Sequence, residues 1–317
     1  MRLVLSWSLG LLCLSAQAME PAERLPLPAP VHMNEAAGRG GLLIIRVKLG
    51  TGEELPMAVD TGAPITLLDN SLAGRLGPQV GEVKLFSFEN RQTGMVYATP
   101  PLYLGGVRLA TGSNVFTADL SRLSAGMDPS CKGILGMDCW RHYCIQLDFE
   151  TGEMRFLDAR RLAAETLGKR FPLQGLTEPS RAGTPMIQHA GLLGGTVTRV
   201  LIDTGNTGDG MADERQIRRH AAGSYSGGLI KRTKHFLAVE GWVNRGVTLP
   251  GCVWEDNSYQ SLGVARGPRD QPDWLGLRFL ARHLVTLDFP DGAMYLKRVR
   301  GDPLPGKRAP AVEPAKP

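Results

Sequence analysis

The chain is short of the residues that mark the commoner chemistries. Only five cysteines occur in 317 residues, and no two are spaced as C-x-x-C. His142 lies between Cys139 and Cys144 without a second histidine at ligand spacing, which argues against a tetrahedral Cys/His zinc site. No H-E-x-x-H, no G-x-S-x-G and no Walker-type glycine loop is present. A zinc peptidase, a nucleophile-elbow hydrolase and a P-loop enzyme are excluded on that ground. Aromatics make up 6% of the residues, and the 36 basic side chains, set against 31 acidic ones, are scattered rather than gathered into a stripe. A nucleic-acid surface is therefore not expected. Nor does any apolar run reach the roughly 18 residues needed to span a bilayer.

The longest apolar stretch, Leu3 to Leu14, follows a single basic residue, Arg2, and precedes the small-x-small sequence Ala16-Gln17-Ala18. That is the anatomy of a secretory signal peptide over 1–18. The expectation is a secreted or periplasmic product with no stable membrane anchor after cleavage. Cys13 would leave with the leader, so Cys131, Cys139, Cys144 and Cys252 remain. An even number in a chain bound for an oxidising compartment predicts one or two disulfides, with the pairing open.

What the chain does have is an internal duplication. The segment from Gly133 (GILGMDCWRHYCIQLDFETGEMRFL) aligns without a gap on the segment from Asp273 (DWLGLRFLARHLVTLDFPDGAMYLK). Leu135 matches Leu275, Gly136 matches Gly276, and Leu147-Asp148-Phe149 matches Leu287-Asp288-Phe289, all 140 positions apart. Upstream of each copy stands an Asp-Thr-Gly triplet, at Asp60 and at Asp203. Each half reads as short strands: Leu42 to Leu49 and Leu55 to Val59 before the first triplet, Gly191 to Asp203 before the second, and alternating segments near Ile145 and Val285. The segment 19–38 and the segment 300–317 are rich in proline and poor in large apolar residues, so both read as flexible. Two lobes are predicted, 39–160 and 170–299, each mostly β.

The triplets suggest a chemistry. Two carboxyl groups a few ångströms apart cannot both ionise cheaply, so they share a proton and split into a base and an acid. Such a pair can take a proton from water while polarising a carbonyl, which hydrolyses an amide without a covalent intermediate. In each triplet the threonine offers a hydroxyl and the glycine a backbone that turns sharply beside the carboxylate. A lone triplet carries little weight, since chance would place one in roughly a few per cent of chains this long. Two at equivalent points of a duplication carry much more.

In these features the chain resembles the pepsin and retropepsin superfamily of aspartic peptidases, and in particular the bacterial single-chain "aspartyl protease family" proteins. The match covers roughly Gly41 to Leu296 and rests on Asp60-Thr61-Gly62 with Ile134-Leu135-Gly136, and Asp203-Thr204-Gly205 with Trp274-Leu275-Gly276. The resemblance implies an all-β, bilobal acid-protease fold with two β-barrel-like lobes and a cleft between them. It implies that Asp60 and Asp203 are the catalytic pair, that Thr61 and Thr204 grip one another, and that Gly136 and Gly276 pack beneath the loops. Ala63 and Asn206 follow the triplets; Ala63 conforms to the family pattern, whereas Asn206 departs from it and is expected to alter the pair's pKa. A substrate flap is expected near Phe86 to Tyr97, its tip between Asn90 and Gly94, with Phe88 in place of the family's flap tyrosine. Asp209, close behind the second triplet, would either raise the pKa of the pair or lie on the surface. The implied partner is an extended peptide held by a monomer, with neither cofactor nor metal. The rival reading is a module that keeps the cleft for binding and has lost turnover.

Overall fold

A computed structural model describes residues 25–87, 90–124, 130–176, 186–193, 196–212, 224–225, 246–249, 262–266 and 273–298. The expected leader, the segment 300–317, Phe88 and Cys252 lie outside them. The described chain is almost entirely β, with helices of only a few residues such as Met137–Trp140 and Leu277–Leu280.

Pairing follows from burial. In Ile44–Leu49 the side chains of Val47 and Leu49 face the core while Arg46 and Lys48 face water, the period-two pattern of a strand with one wet face. Glu54–Val59 loses that alternation towards its end, where Met57, Ala58 and Val59 are all buried. It is correspondingly central, antiparallel to Ile44–Leu49 on one side and parallel to Gly133–Leu135 on the other. Gly133–Leu135 also pairs antiparallel with Leu67–Asp69, which pairs parallel with Asn114–Ala118. The second half repeats this arrangement. Thr196–Asp203 is parallel to Asp273–Gly276, which is antiparallel to Gly210–Ala212, which is parallel to Leu262–Arg266. Each triplet thus sits where a central strand ends, with the apolar-apolar-Gly strand beside it.

The halves meet in six consecutive strands of a larger sheet. Their order is Val31–His32, Glu153–Leu157, Cys144–Asp148, His283–Asp288, Ala293–Arg298, Lys169–Gln174. The two middle strands come from equivalent places in the repeat, and their register is symmetric. Gln146 faces Thr286, its own repeat partner, while Ile145 faces Leu287 and Leu147 faces Val285. An approximate twofold axis therefore passes between Gln146 and Thr286, where Gln146 Nε2 donates to Thr286 Oγ1 at 3.0 Å. These strands are buried on both faces, and one apolar cluster runs from Leu43 and Met57 through Trp140, Ile145 and Leu147 to Ile202, Phe279 and Leu287. Burial of a single side chain such as Phe279 contributes roughly 1.5–3 kcal/mol.

Three expectations change. The lobes are β-sheet layers, and no closed barrel occurs among the described residues. The segment 19–38 is held from Ala29 onward: a Cβ on Gly105 would lie 2.7 Å from the Ala29 backbone nitrogen, Val31–His32 pairs with Glu153–Met154, and Met33 and Ala37 are buried. Proline counts predict a loose arm, but proline's extended backbone also suits an approach to a sheet edge. Finally, the thiols of Cys131, Cys139 and Cys144 are all buried and none is bonded to another in a disulfide. Cys139 and Cys144 fill apolar space as small hydrophobes do.

Candidate active site

Each triplet turns back on its own aspartate. Gly62 N–H and Ala63 N–H donate to Asp60 Oδ1 at 2.8 and 3.0 Å. Gly205 N–H donates to Asp203 Oδ1 at 2.8 Å, while Asn206 N–H reaches the Asp203 backbone carbonyl at 3.3 Å. The carboxylates are brought together by glycine. A Cβ on Gly62 would stand 2.6 Å from Asp203 Oδ1, and one on Gly205 would stand 2.5 Å from the Asp60 carboxyl carbon. Each glycine α-carbon therefore lies against the opposite carboxylate, closer than any side chain permits.

The threonines lock the loops across the approximate twofold. Thr61 Oγ1 donates to Ile202 O at 2.6 Å and accepts from Thr204 N–H at 3.1 Å. Thr204 Oγ1 donates to Val59 O at 2.7 Å and accepts from Thr61 N–H at 3.0 Å. Both side chains are wholly buried. This ring of four hydrogen bonds joins residues more than 140 positions apart.

Beneath each loop, a glycine admits backbone where a side chain would not fit. A Cβ on Gly136 would lie 2.4 Å from Ile65 O, and one on Gly276 would lie 2.3 Å from Gly208 O. The short helices that follow return their first N–H groups to the loops: Met137 N–H to Ala63 O at 2.8 Å, and Leu277 N–H to Asn206 O at 2.7 Å.

The two carboxyls differ electrostatically. Burial is the largest influence on Asp60 and lifts its pKa above the ordinary 3.8, while the Gly62 and Ala63 N–H groups and a hydrogen bond with Asp203 draw it back. Asp203 is pushed well above the same value, first by burial and then by the charge on Asp60, with the Gly205 and Asn206 N–H groups opposing. Asp60 also keeps part of its surface open to solvent, whereas Asp203 is buried. The arrangement holds one proton between two groups and favours its residence on Asp203.

Asn206 does not place its amide on a carboxylate. Its Oδ1 accepts Gly208 N–H at 3.0 Å, an Asx-type turn within the loop. Its Nδ2 is buried and has no hydrogen-bond partner among the described residues. Asp209 follows neither expectation: it is buried and ion-paired with Arg282. The pairing of Asp209 with Arg282 was not legible from spacing, and neither was the bond from Thr66 Oγ1 to Asp138 Oδ1 at 2.8 Å in the first lobe. One signal was available, because Thr66 and Asp209 are 143 positions apart, the same interval as the triplets.

The expected flap falls on a hairpin formed by Gln79–Ser87 and Asn90–Ala98. Its last described pair is Ser87 with Asn90. Asn90 therefore begins the returning strand, and Gly94 lies within that strand opposite Val83 rather than at the tip. The sequence reading misplaced the tip because only the downstream Leu104-Gly105-Gly106 anchored it.

No family model and no curated protein sequence matches the chain. Among solved structures, the crystal structure of an aspartic proteinase from Irpex lacteus is similar over 86% of this chain and 97% of its own, at 14% identity and a TM-score of 0.49. The described architecture is all-β, two halves of equivalent strand order joined through one sheet. Within it, the two triplets form one site on the boundary between the lobes.

Proposed function

We propose that the protein is an aspartic endopeptidase that hydrolyses peptide bonds with a water molecule activated by Asp60 and Asp203. The observation that carries the reading is the paired, proton-sharing carboxyls held by reciprocal threonine bonds. Asp60, steadied as the anion by two backbone donors, takes a proton from water as its oxygen adds to the scissile carbonyl carbon. Asp203 gives its proton to the carbonyl oxygen, which becomes a hydroxyl of the tetrahedral intermediate. The C–N bond then breaks, the carbonyl re-forms, and the amine leaves with the proton from Asp60 while Asp203 recovers its own. An extended peptide is the substrate class that an endopeptidase with a strand-lined site would take, and the hairpin 79–98 is its candidate cover. The leader-like residues 1–18 support export, and the enzyme is proposed to act as a secreted or periplasmic monomer; finding uncleaved chain in the cytoplasm would overturn the first point.

A second reading, a peptide-binding module without turnover, is favoured by the partnerless Asn206 amide next to the second triplet. The experiment that separates the two is digestion of a mixed peptide library between about pH 3 and pH 7 by wild type, Asp60→Asn and Asp203→Asn. The expected result is cleavage by wild type and a loss of about 10³-fold or more in each variant. A wild type that cuts nothing, or variants that cut as well, would refute the peptidase reading.

A further inference from the structure

The segment that follows the strand Gly133–Leu135 holds two parts of the molecule at once. On one side it meets the loop behind the first triplet. Met137 N–H donates to Ala63 O at 2.8 Å, Asp138 N–H donates to Pro64 O at 3.2 Å, and Asp138 Oδ1 accepts from the wholly buried Thr66 hydroxyl at 2.8 Å. On the other side it meets the loop that leads into Asn114–Ala118. Asp138 Oδ2 accepts from Gly112 N–H at 3.3 Å, and the Tyr143 hydroxyl accepts from Ala110 N–H at 2.8 Å. A Cβ on Gly112 would stand 3.2 Å from Asp138 Oδ2, so the backbone comes up to the carboxylate closely enough to crowd a side chain there.

That second loop is the footing of the hairpin. Thr99, the first residue past the strand Asn90–Ala98, donates its N–H to Ser113 O at 3.0 Å and its hydroxyl to Gly112 O at 2.6 Å. Strand pairing already sets Asn114–Ala118 beside Leu67–Asp69 and Val96 to Ala98 beside Asn114 to Phe116. It does not hold Gly112 and Thr99, which hang on the Asp138 carboxylate. One oxygen of that carboxylate serves the Asp60 loop and the other serves the hairpin base. Burial raises the Asp138 carboxyl above its ordinary range, and the Thr66 hydroxyl and then the Gly112 N–H are the first groups to oppose the rise. By the repeat, the exposed Arg278 holds this place in the second half, so the carboxylate belongs to the half that supplies the hairpin.

We propose that Asp138 is a positioning residue of the site: its carboxylate fixes the base of the hairpin 79–98 relative to the loop carrying Asp60, and thereby sets how an extended peptide lies over the aspartate pair. The inference rests on the reading of the hairpin as the cover of an aspartic peptidase. Asp138 acts through Thr66 and Gly112 and takes no part in the proton transfers.

The test is amide hydrogen exchange at Thr99, followed by NMR, in a double-mutant cycle. Thr66→Val, which removes the partner on the Asp60 side, is expected to speed that exchange roughly fivefold to tenfold, and to add nothing once Asp138→Ala is present. Asp138→Asn can turn its oxygen to Gly112 and its NH₂ to the Thr66 hydroxyl, and is expected to hold exchange within about twofold of wild type. On a peptide that the wild type cleaves, Asp138→Ala is expected to raise KM about tenfold with kcat within about twofold, and Asp138→Asn to bring KM back. A purely structural bond predicts neither the split nor the rescue. Effects of Thr66→Val and Asp138→Ala that simply add overturn the proposal, and so does a KM that Asp138→Ala leaves unmoved. If Asp138→Ala does not fold, Thr66→Val combined with Thr99→Val, read at the Gly112 amide, takes its place: the two lie at opposite ends of the bridge, and additive effects there overturn the proposal. Because exchange needs no substrate, coupled exchange in a protein that cleaves nothing would sink the peptidase reading and leave the tie between hairpin and loop standing.

Discussion

Replacing Thr61 by valine tests the joint between the lobes with little change of shape. Valine keeps the side-chain volume and removes the hydroxyl that donates to Ile202 O at 2.6 Å and accepts from Thr204 N–H at 3.1 Å. Thr61 has no exposed surface, so water does not replace either partner. A buried carbonyl and a buried N–H are left unpaired, at about 1–3 kcal/mol each, for a total loss of about 2–6 kcal/mol. That is a large share of the roughly 5–15 kcal/mol that separates a folded domain from its unfolded chain. Thr61→Ser is the control: it keeps both hydrogen bonds and deletes one buried methyl group, at about 1 kcal/mol. Urea denaturation followed by intrinsic fluorescence, with both variants and wild type on one scale, measures the difference. The valine variant should unfold at markedly lower urea with the serine variant near wild type. If serine costs as much as valine, the interlobe bonds contribute nothing beyond packing, and the argument for the grip fails.

Asp203→Asn should stabilise the protein at neutral pH. Burial raises the folded-state pKa of Asp203 well above 3.8, so the folded chain holds a proton that the unfolded chain has released. The stability tied to that proton is complete below about pH 3.8 and is lost as pH rises towards the folded pKa. The melting temperature of the asparagine variant should therefore exceed that of wild type near pH 7, with the gap closing on acidification; a gap that is constant or widens in acid counts against the assignment. Gly276→Ala should cost at least about 2 kcal/mol in chemical denaturation, because its Cβ would fall 2.3 Å from Gly208 O and 2.8 Å from Asn206 O, both backbone atoms. An alanine variant as stable as wild type would show that the loop has room to retreat.

Much of this was legible because duplication writes a fold twice. The shared spacing of Leu135, Gly136, Leu275 and Gly276 marks equivalent segments of the two halves, and these form equivalent strands beside the two triplets. The reciprocal contact of Thr61 and Thr204 followed from the resemblance and is present in all four of its hydrogen bonds. What was missed depends on direction rather than residue type. Asn206 has an amide that could reach a carboxylate, yet the Gly208 N–H claims its oxygen first. Cysteine parity predicted disulfides, but Cys139 and Cys144 are enclosed by apolar side chains on different elements, and parity says nothing about where sulfurs point. The hairpin tip was set by counting along the chain, whereas strand register pairs Asn90 with Ser87 and Gly94 with Val83.

By itself the sequence showed a mostly β chain written in two equivalent halves, each with an Asp-Thr-Gly triplet, since these follow from periodicity and from a repeated motif; the pairing of the aspartates was implied by the resemblance. The tertiary structure decided how the pair is biased. Burial, and then the charge on Asp60, raise the Asp203 carboxyl well above its ordinary value, so the shared proton favours Asp203. Arg282 also reaches Asp209 from the turn before His283–Asp288, 73 positions away. Such long-range meetings of charge depend on which strands lie side by side, and no local pattern encodes that.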